Sequence, residues 1–383
     1  MQKILFIHHK DILENTANNI QVISMCNAFC RTGCEVTLLI PTSSVRIITQ
    51  DDLEKKIGSK ILFNIVCYRQ SNFRSVTIST IISLFLFTKK KGNRKLITMF
   101  DIVFTRHQIP YLIFRRKAKS ICLELHNNHF YKSQTLDYFF RKVVFQKYFL
   151  NKTLFIAISK NLKAYWKEHF LNINVLSLHD GFDEVVFKNL ITRNDARTDL
   201  NLQKNKKIVS YIGSLYLDRE VDVIIELAKH FPSACFIVAG GPNENAIYYS
   251  KIASENAVNN IHFPGHLPYS LVPKYLFSSD VLLALWSSKV PTIKYCSPLK
   301  IFEYMASGRI IVAHAYPTIK EVLTDGVDSL LVNPGDFEDL RKKVKVALNL
   351  EDQSLGLCAR EKAFSIYTWQ ERAKQIIDNI KSL

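Results

Sequence analysis

The chain has 383 residues, too many for one ordinary core and enough for two domains. With 48% hydrophobic and 22% charged residues, its composition excludes a disordered protein. The net charge of +17 is concentrated in residues 1–190, which hold 28 Lys and Arg against 13 Asp and Glu. We therefore expect this half to meet an acidic membrane surface, a phosphorylated substrate or nucleic acid, a merely solvated basic surface being the alternative.

The first half alternates short apolar segments with helical patterns. The opening residues, MQKILFIHHK, predict a first strand and not a signal peptide. We predict a helix at about 20–31 and strands at 3–7, 35–40, 61–68, 102–105, 121–125, 154–158 and 174–178. Short strands separated by helices predict a parallel sheet that is covered on both faces.

One apolar stretch of the first half, residues 76–87, is shorter than the roughly 20 residues that span a bilayer. It predicts a buried helix or one in the membrane interface. Basic residues follow at 89–91, 94 and 95, which favours a membrane surface because apolar and cationic contacts reinforce each other there. The eight cysteines form no C-x-x-C pair, so we interpret them as small buried hydrophobes in a reducing, cytoplasmic compartment.

The alternation restarts after residues 192–207, a polar segment predicted to be a linker or an exposed helix. We predict a helix at 221–230 and strands at 208–213, 235–239, 261–263, 281–284, 310–313 and 329–332. The predicted fold class is α/β, with two doubly wound, Rossmann-like parallel sheets facing each other across a cleft. The predicted domains are 1–185 for the acceptor and 186–365 for the donor, with a helix at 366–383 returning to the first. Binding is expected in the cleft, at the carboxyl ends of strands.

The segment SPLKIFEYMASG, residues 297–308, predicts a short capped helix. Ser297 is a strong N-cap residue, Pro298 suits the first helical position and Gly308 suits the left-handed stop. Lys300 and Glu303 share one stripe, where a cation and a carboxylate could hold a phosphate and a sugar diol. An ordinary capped helix with one Lys–Glu pair is the alternative.

Several common nucleotide and hydrolase motifs are absent from the sequence. It contains no G-x-G-x-x-G, no P-loop, no G-x-S-x-G elbow and no H-E-x-x-H zinc helix. No D-x-D pair is present to hold a metal against a sugar-nucleotide diphosphate. If phosphates are bound, side-chain cations and helix N-termini must neutralise them.

Eight segments in order resemble the family 4 glycosyltransferases, which have the GT-B fold. In the second half these are YIGSLY at 211–216 with Arg219, FIVAGGP at 236–242, IHFPGHL at 261–267 with YLFSSD at 275–280, and the helix at 297–308. In the first half they are CNAF at 26–29 with GCEVTL at 33–38, ELH at 124–126, IAIS at 156–159 and DGFD at 180–183. The resemblance covers nearly the whole chain.

The resemblance implies a retaining glycosyltransferase that needs no bound metal and no cofactor. Its co-substrate would be a nucleotide sugar, with a UDP-sugar favoured and a GDP-sugar as the second choice. The departing diphosphate oxygen takes the proton of the acceptor hydroxyl, while the protein orients the substrates and stabilises negative charge.

The resemblance also assigns residues to this reaction. Glu303 would accept hydrogen bonds from the ribose hydroxyls, and His126 would lie beside the transferred sugar, so these two are the candidate catalytic residues. The donor-binding set is Gly213, Arg219 facing the diphosphate, Gly240, the backbone at His266 and Leu267 near the base, Ser297, Lys300 and Glu303. Weaker candidates on the acceptor side are His8, His9 and Arg106.

Three positions depart from the family pattern. Tyr295 stands where many members have a glutamate, which leaves the donor sugar open. Ser214 replaces the first basic residue and Glu220 replaces a glycine after the second. We predict that Lys300 supplies the missing positive charge. The loop at 8–19 lacks the usual glycine pair, so acceptor contacts cannot be transferred there.

The expected acceptor is a glycan or a polyprenyl-diphosphate-linked glycan, in the synthesis of a cell-surface polysaccharide such as lipopolysaccharide or capsule. The basic domain would place the protein peripherally at the cytoplasmic face of the plasma membrane. One alternative is a sugar-nucleotide epimerase of the same fold, which would need no acceptor. The other is a non-enzymatic basic module that binds nucleic acid. The sequence contains no nucleic-acid-binding motif, however, and we do not expect nucleic acid as a partner.

Overall fold

The computed structural model describes residues 1–42, 47–69, 76–90, 98–170, 173–350 and 352–382. The chain forms two compact units, Met1–Asp180 with Trp369–Leu383, and Gly181–Thr368. Across the described ranges, no helix has both the length and the apolar character needed to cross a membrane. The basic residues predicted to act at 91, 94 and 95 lie outside the described residues.

The first unit is built on a seven-stranded parallel sheet with the order β3-β2-β1-β4-β5-β6-β7. Its strands are β1 Lys3–Ile7, β2 Glu35–Thr42, β3 Asn64–Arg69, β4 Ile102–Thr105, β5 Ser120–Leu125, β6 Thr153–Ala157 and β7 Val175–Ser177. Its helices are α1 Ala17–Arg31, α2 Gln50–Ile57, α3 Val76–Lys89, α4 Gln108–Phe114, α5 Gln134–Val144, α6 Lys147–Leu150, α7 Lys160–His169 and, from the end of the chain, α17 Trp369–Lys381. The strand order reverses between β1 and β4, which makes their carboxyl ends a natural binding point.

Right-handed crossovers divide the helices of the first unit between the two faces of its sheet. α1 and α2 follow strands that step toward β3, whereas α3 to α7 follow steps in the opposite direction. α17 packs against α1, and α4 packs against both α3 and α5. The apolar stretch predicted at 76–87 therefore lies in α3, beside other helices of the same face.

The second unit has a six-stranded parallel sheet with the order β10-β9-β8-β11-β12-β13, again reversing beside its first strand. Its strands are β8 Ile208–Ile212, β9 Cys235–Ala239, β10 Ile261–Gly265, β11 Val281–Ala284, β12 Ile310–His314 and β13 Leu330–Val332. Its α-helices are α8 Glu184–Phe187, α9 Arg193–Asp199, α10 Val221–Lys229, α11 Asn243–Glu255, α12 Val272–Ser278, α13 Leu299–Ser307, α14 Pro317–Lys320, α15 Phe337–Asn349 and α16 Ser354–Ile366. Apolar clusters fill both faces of this sheet, so the prediction of two doubly wound parallel sheets is confirmed.

One local prediction is wrong, and another is confirmed only in part. Ser297 does not cap α13, because Pro298 takes the N-cap position with extended backbone and the helix begins at Leu299. The polar segment at 192–207 is not free of core contacts, since α9 buries Ala196 and Arg197. Arg197 is stabilised there because its Nη2 donates to Asp280 Oδ2 over 2.6 Å.

The cysteines fit the prediction only in part. Cys26, Cys34 and Cys122 are buried, four others are partly exposed, and Cys358 is exposed on α16. All eight are free thiols.

Candidate functional site

A gap opens in the second sheet where β8 and β11 diverge. The two strands pair only at Val209–Val281 and Ser210–Leu282. Beyond that point the Tyr304 hydroxyl of α13 makes the hydrogen bonds to β8 that a paired strand would otherwise make. It accepts from the Ile212 N–H over 2.8 Å and donates to the Ile212 carbonyl over 3.0 Å. Because buried backbone groups must be paired, this hydroxyl allows the strands to separate at their carboxyl ends.

Two glycines leave the backbone bare at this edge. Gly213 follows β8, and its N–H donates to the Ala239 carbonyl over 2.9 Å. Gly240 follows β9 with φ of +148°, and a Cβ added there would meet the Gly213 carbonyl oxygen at 1.6 Å. Neither the conformation nor the contact tolerates a side chain at residue 240. The predicted donor-binding glycines are therefore adjacent, and Gly240 allows the two backbone segments to pack closely.

Lys300 projects from the first turn of α13 toward these glycines. A Cβ placed on Gly213 would lie 3.1 Å from Lys300 Nζ, which also sits 3.9 Å from the Tyr211 ring centre and 4.6 Å from that of Trp286. Within the described residues this buried ammonium group has no hydrogen-bond partner. Burial, with the nearby Arg219 charge, holds the pKa of Lys300 well below its ordinary value.

Arg219 completes the cationic edge beside Lys300. It ends a short 3₁₀ turn at Leu217–Arg219, and its Nε donates to Ser214 Oγ over 3.1 Å. Its Nη1 lies 3.3 Å from Asp218 Oδ1. The Arg219 charge contributes to lowering the pKa of Lys300, although one residue lies after β8 and the other on α13.

Glu303 lies one turn beyond Lys300 on the same helix. Its Oε1 accepts a hydrogen bond from the Tyr269 hydroxyl over 2.8 Å. Burial raises the pKa of Glu303 to about 7, only partly opposed by that hydrogen bond. A carboxylate can accept from both hydroxyls of a vicinal diol. The helix therefore presents a cation and a carboxylate together, as the spacing predicted.

The other predicted donor residues are buried or already contact other parts of the protein. The His266 N–H donates to Asn243 Oδ1 over 2.8 Å, so it is already engaged by α11. Leu267 packs against the apolar cluster on one face of the sheet. Ser297 is buried just before α13. Their predicted contacts with the nucleotide stay predictions.

Sequence reasoning missed a carboxyl–imidazole pair in the second unit. His314 ends β12, and its Nδ1 lies 3.5 Å from Glu220 Oε2 and 2.9 Å from the Trp286 carbonyl. Glu220 has φ of +53°, a left-handed conformation that glycine adopts more readily than glutamate does. Burial and the nearby Asp222 charge raise the pKa of Glu220 to about 7.

In the first unit, the predicted residues Arg106 and His126 meet Glu124 beside β5. Glu124 is buried, and its Oε1 lies 2.7 Å from His126 Nε2 and 2.9 Å from Arg106 Nε. Arg106 Nη2 also lies 3.2 Å from His126 Nδ1. Burial and the Arg106 charge lower the pKa of His126 to about 4, so this imidazole is neutral at physiological pH. Glu124 was missed as a site residue, although a glutamate inside an apolar strand signals a buried partner.

His8 and His9 lie at the carboxyl end of β1, where the first sheet reverses. His8 Nε2 is 3.0 Å from Asn19 Oδ1, and the centre of the His9 ring lies 4.1 Å from that of the His107 ring, a contact that was not predicted. Burial is the main cause that lowers the pKa of His8 to about 3 and that of His9 to about 2. In the described part of the chain, no group of three or more His, Cys, Asp or Glu could hold a metal ion.

Sequence comparison finds glycosyltransferase relatives. Residues 192–362 match the family model "Glycosyl transferases group 1". An uncharacterized glycosyltransferase of Methanocaldococcus jannaschii is 24% identical over 263 residues, which cover 64% of this chain and 65% of the relative. The match thus spans just under two thirds of that relative's length.

Structural comparison extends the similarity to the whole chain. A sucrose-phosphate synthase from Thermosynechococcus elongatus aligns with a TM-score of 0.75 at 16% identity, covering 100% of this chain and 99% of the other. Anabaena HepE, in a structure with UDP and glucose, aligns with a TM-score of 0.72 at 14% identity, covering 100% of both chains. At such identities the similarity establishes a common fold.

Proposed function

We propose that this chain is a GT-B glycosyltransferase that transfers a sugar from a nucleotide-sugar donor to a glycan or lipid-linked acceptor with retention of configuration. The second unit would bind the donor. The observation that carries the proposal is the buried Lys300 ammonium group beside Gly213, which has no hydrogen-bond partner among the described residues, with Glu303 one turn away. A buried cation without a hydrogen-bond partner needs an anion to offset its desolvation.

The residues of this edge match the parts of a nucleoside diphosphate sugar. Lys300 and Arg219 would bind the diphosphate, since ionic hydrogen bonds are strongest for such pairs. Glu303 would accept from the ribose hydroxyls, and Tyr269 already holds one of its oxygens. The structure of Anabaena HepE with UDP and glucose supports a UDP-sugar as the donor.

In the proposed reaction the C1–oxygen bond to the diphosphate breaks and a C1–oxygen bond to the acceptor forms on the same face of the sugar. The acceptor hydroxyl proton passes to the departing diphosphate oxygen, which leaves the nucleoside diphosphate and the glycoside. No side chain has to remove that proton. The two cations lower the barrier because they stabilise the charge that develops on the leaving group. Nothing in this scheme calls for a bound metal ion.

Binding of donor nucleotides tests the proposal. We expect UDP or a UDP-sugar to raise the melting temperature, because a ligand that binds only the folded state stabilises it by about 2.7 kcal/mol at a hundred times its dissociation constant. A panel of UDP, GDP, ADP and dTDP sugars measures this effect and identifies the base.

An activity measurement completes this test. Nucleoside diphosphate should be released only when an acceptor is present. If no nucleotide raised the melting temperature, the proposal would be wrong. Conversion of the free sugar nucleotide into its epimer without an acceptor would instead establish the epimerase alternative.

A basic apolar face in the first unit suits a membrane-borne acceptor. We define it by Ile81, Phe85 and Leu86 on α3 and by Leu136, Tyr138 and Phe139 on α5, all of them exposed. Lys89 Nζ lies 4.9 Å from the Phe85 ring centre, and Lys142 Nζ lies 4.5 Å from that of Tyr138. Residues 76–169 hold 18 Lys and Arg against 4 Asp and Glu.

We infer that this basic apolar face binds an anionic lipid surface, where apolar side chains enter the interface and cations bind lipid head groups. The protein would then act peripherally at the cytoplasmic face of the plasma membrane, on an acceptor such as a polyprenyl-diphosphate-linked glycan. Synthesis of a cell-surface polysaccharide is the process that such an acceptor serves.

Removing two aromatic side chains from this face is expected to weaken membrane binding. The double variant Tyr138→Ser with Phe139→Ser should bind vesicles of phosphatidylglycerol at least about tenfold more weakly, since each ring contributes roughly 1.5–3 kcal/mol when buried. Flotation measures the bound fraction, which should also fall with added salt.

The second unit offers a matched control for that variant. Ile247 and Tyr248 are adjacent, exposed residues of α11, and their replacement by serine should leave vesicle binding unchanged. Equal binding to neutral phosphatidylcholine vesicles, or an equal loss in the control variant, would contradict the assignment of this face.

A further inference from the structure

The Glu124 carboxylate accepts hydrogen bonds from four side chains of the first unit, two on helices and two in the loops after β4 and β5. Its Oε1 accepts from Gln21 Nε2 over 3.0 Å, from Arg106 Nε over 2.9 Å and from His126 Nε2 over 2.7 Å. Its Oε2 accepts from Arg372 Nη2 over 2.8 Å. Arg372 is therefore the group that occupies the oxygen facing away from His126.

Arg372 comes from α17, the last helix of the chain, and its side chain is 3% exposed. Its Nε donates to the His179 carbonyl over 2.8 Å, which fixes the plane of the guanidinium. A planar group held at one nitrogen directs its remaining N–H bonds along fixed lines. The packing of α17 against α1 thus places a rigid cation beneath β5.

The orientation of Glu124 biases which nitrogen of His126 carries the proton. An ionised carboxylate only accepts, so Oε1, 2.7 Å from His126 Nε2, favours a proton on that nitrogen. Nδ1 is then an acceptor, and it lies 3.2 Å from the donor Arg106 Nη2. Arg106 Nε lies 2.9 Å from both His126 Nε2 and Glu124 Oε1, and in this tautomer its N–H donates to Glu124 Oε1.

We propose that Arg372 is a positioning residue for the reaction. It holds the Glu124 carboxylate with Oε1 directed toward His126. Through Glu124 it fixes the tautomer and the ring orientation of His126. The kinetic part of this inference rests on the proposed function, whereas the tautomer does not.

The electrostatics of the cluster agree with this assignment. Burial acts to raise the pKa of Glu124, but the Arg372 and Arg106 charges hold that pKa well below its ordinary value. Without Arg372, the largest of the charges that oppose the effect of burial on Glu124 would be lost. Asp180, which accepts from Gln21 Nε2 over 2.6 Å, is a further carboxyl group in the same cluster. A neutral Glu124 could donate to His126, and the single tautomer would no longer be required.

Nitrogen NMR of His126 in the full chain tests the proposal directly. We expect a protonated Nε2 and an unprotonated Nδ1 in the unaltered protein, a mixture of tautomers in Arg372→Gln, and partial recovery in Arg372→Lys. With donor and acceptor present, kcat should fall at least about tenfold in Arg372→Gln while the KM for the donor changes less than twofold, since a positioning defect affects the chemical step.

Ile376→Ala is the control on the same helix, because Ile376 is fully buried and the variant loses packing without touching Glu124. It should keep the His126 tautomer and kcat. The proposal is overturned if folded Arg372→Gln keeps the original tautomer, or if Ile376→Ala lowers kcat equally. A protein without transferase activity would refute the proposed function, and the NMR measurement would still decide the role of Arg372.

Discussion

Replacing Glu303 with glutamine is expected to lower the affinity for the nucleotide donor by about 10- to 150-fold. Hydrogen bonds to a charged group contribute about 1.5–3 kcal/mol each, and 1.36 kcal/mol corresponds to a factor of ten. Glutamine keeps the shape of the side chain and can still accept from Tyr269, so the fold should be retained. Calorimetric titration with the nucleotide measures the loss.

The same variant should remove a pH dependence. Burial raises the pKa of Glu303 from 4.5 to about 7, and ribose hydroxyls bind the ionised form. Donor affinity should therefore rise with pH through about 7, with release of a proton on binding. Folding stability changes with pH in the opposite direction, because in this pH range the folded state retains a proton on Glu303 that the unfolded state has lost. The contribution of Glu303 to stability accordingly falls as pH rises from about 4.5 to about 7.

Burial also raises the pKa of Glu220 to about 7, so the pH dependence of donor affinity must be compared between the original protein and Glu303→Gln. If donor affinity did not change with pH in the original protein, or changed with the same slope in the variant, Glu303 would not contact the donor. Unchanged donor affinity in Glu303→Gln would show the same.

Lys300→Met is expected to weaken UDP binding by about 10- to 150-fold, because it removes a charged hydrogen-bond donor from the phosphate site. Stability without nucleotide should not fall. The lost ammonium group has no hydrogen-bond partner among the described residues, and methionine can fill the space beside the rings of Tyr211 and Trp286. Thermal unfolding and UDP titration measure the two effects separately.

Uridine provides the decisive comparison for Lys300, since it lacks phosphate. Its affinity should be the same in Lys300→Met and in the original protein. Lys251→Met removes a lysine that is 77% exposed on α11 and should change neither affinity. If uridine binding fell as much as UDP binding, Lys300 would act on the nucleoside or on the fold, and its assignment to the diphosphate would be wrong.

The sequence predicted those features that depend on neighbouring residues. β1, β4, β9 and β11 begin and end at the predicted residues because continuous apolar runs mark strands buried on both faces. The i, i+3 spacing of Lys300 and Glu303 placed both on one helix face. The N-cap of α13 was mispredicted by one position because Ser297 and Pro298 both suit a helix start, and only tertiary packing decides between them.

Contacts between distant segments could not be predicted in this way. The glutamate at 124 signals a buried partner, but Arg372 lies 248 residues away and looks like an ordinary helix residue. The burial of Arg197 in a polar segment depends likewise on Asp280, 83 residues further along. The double hydrogen bond of Tyr304 follows from the divergence of two strands, which no local pattern encodes.

That tyrosine acts as a wedge between β8 and β11. Because its hydroxyl satisfies both polar groups of Ile212, the strands gain nothing by closing over the opening at their carboxyl ends. The opening between the strands beside Gly213 is thus preorganised. A ligand that binds there does not have to break hydrogen bonds between the strands, so none of its binding free energy is lost in separating them.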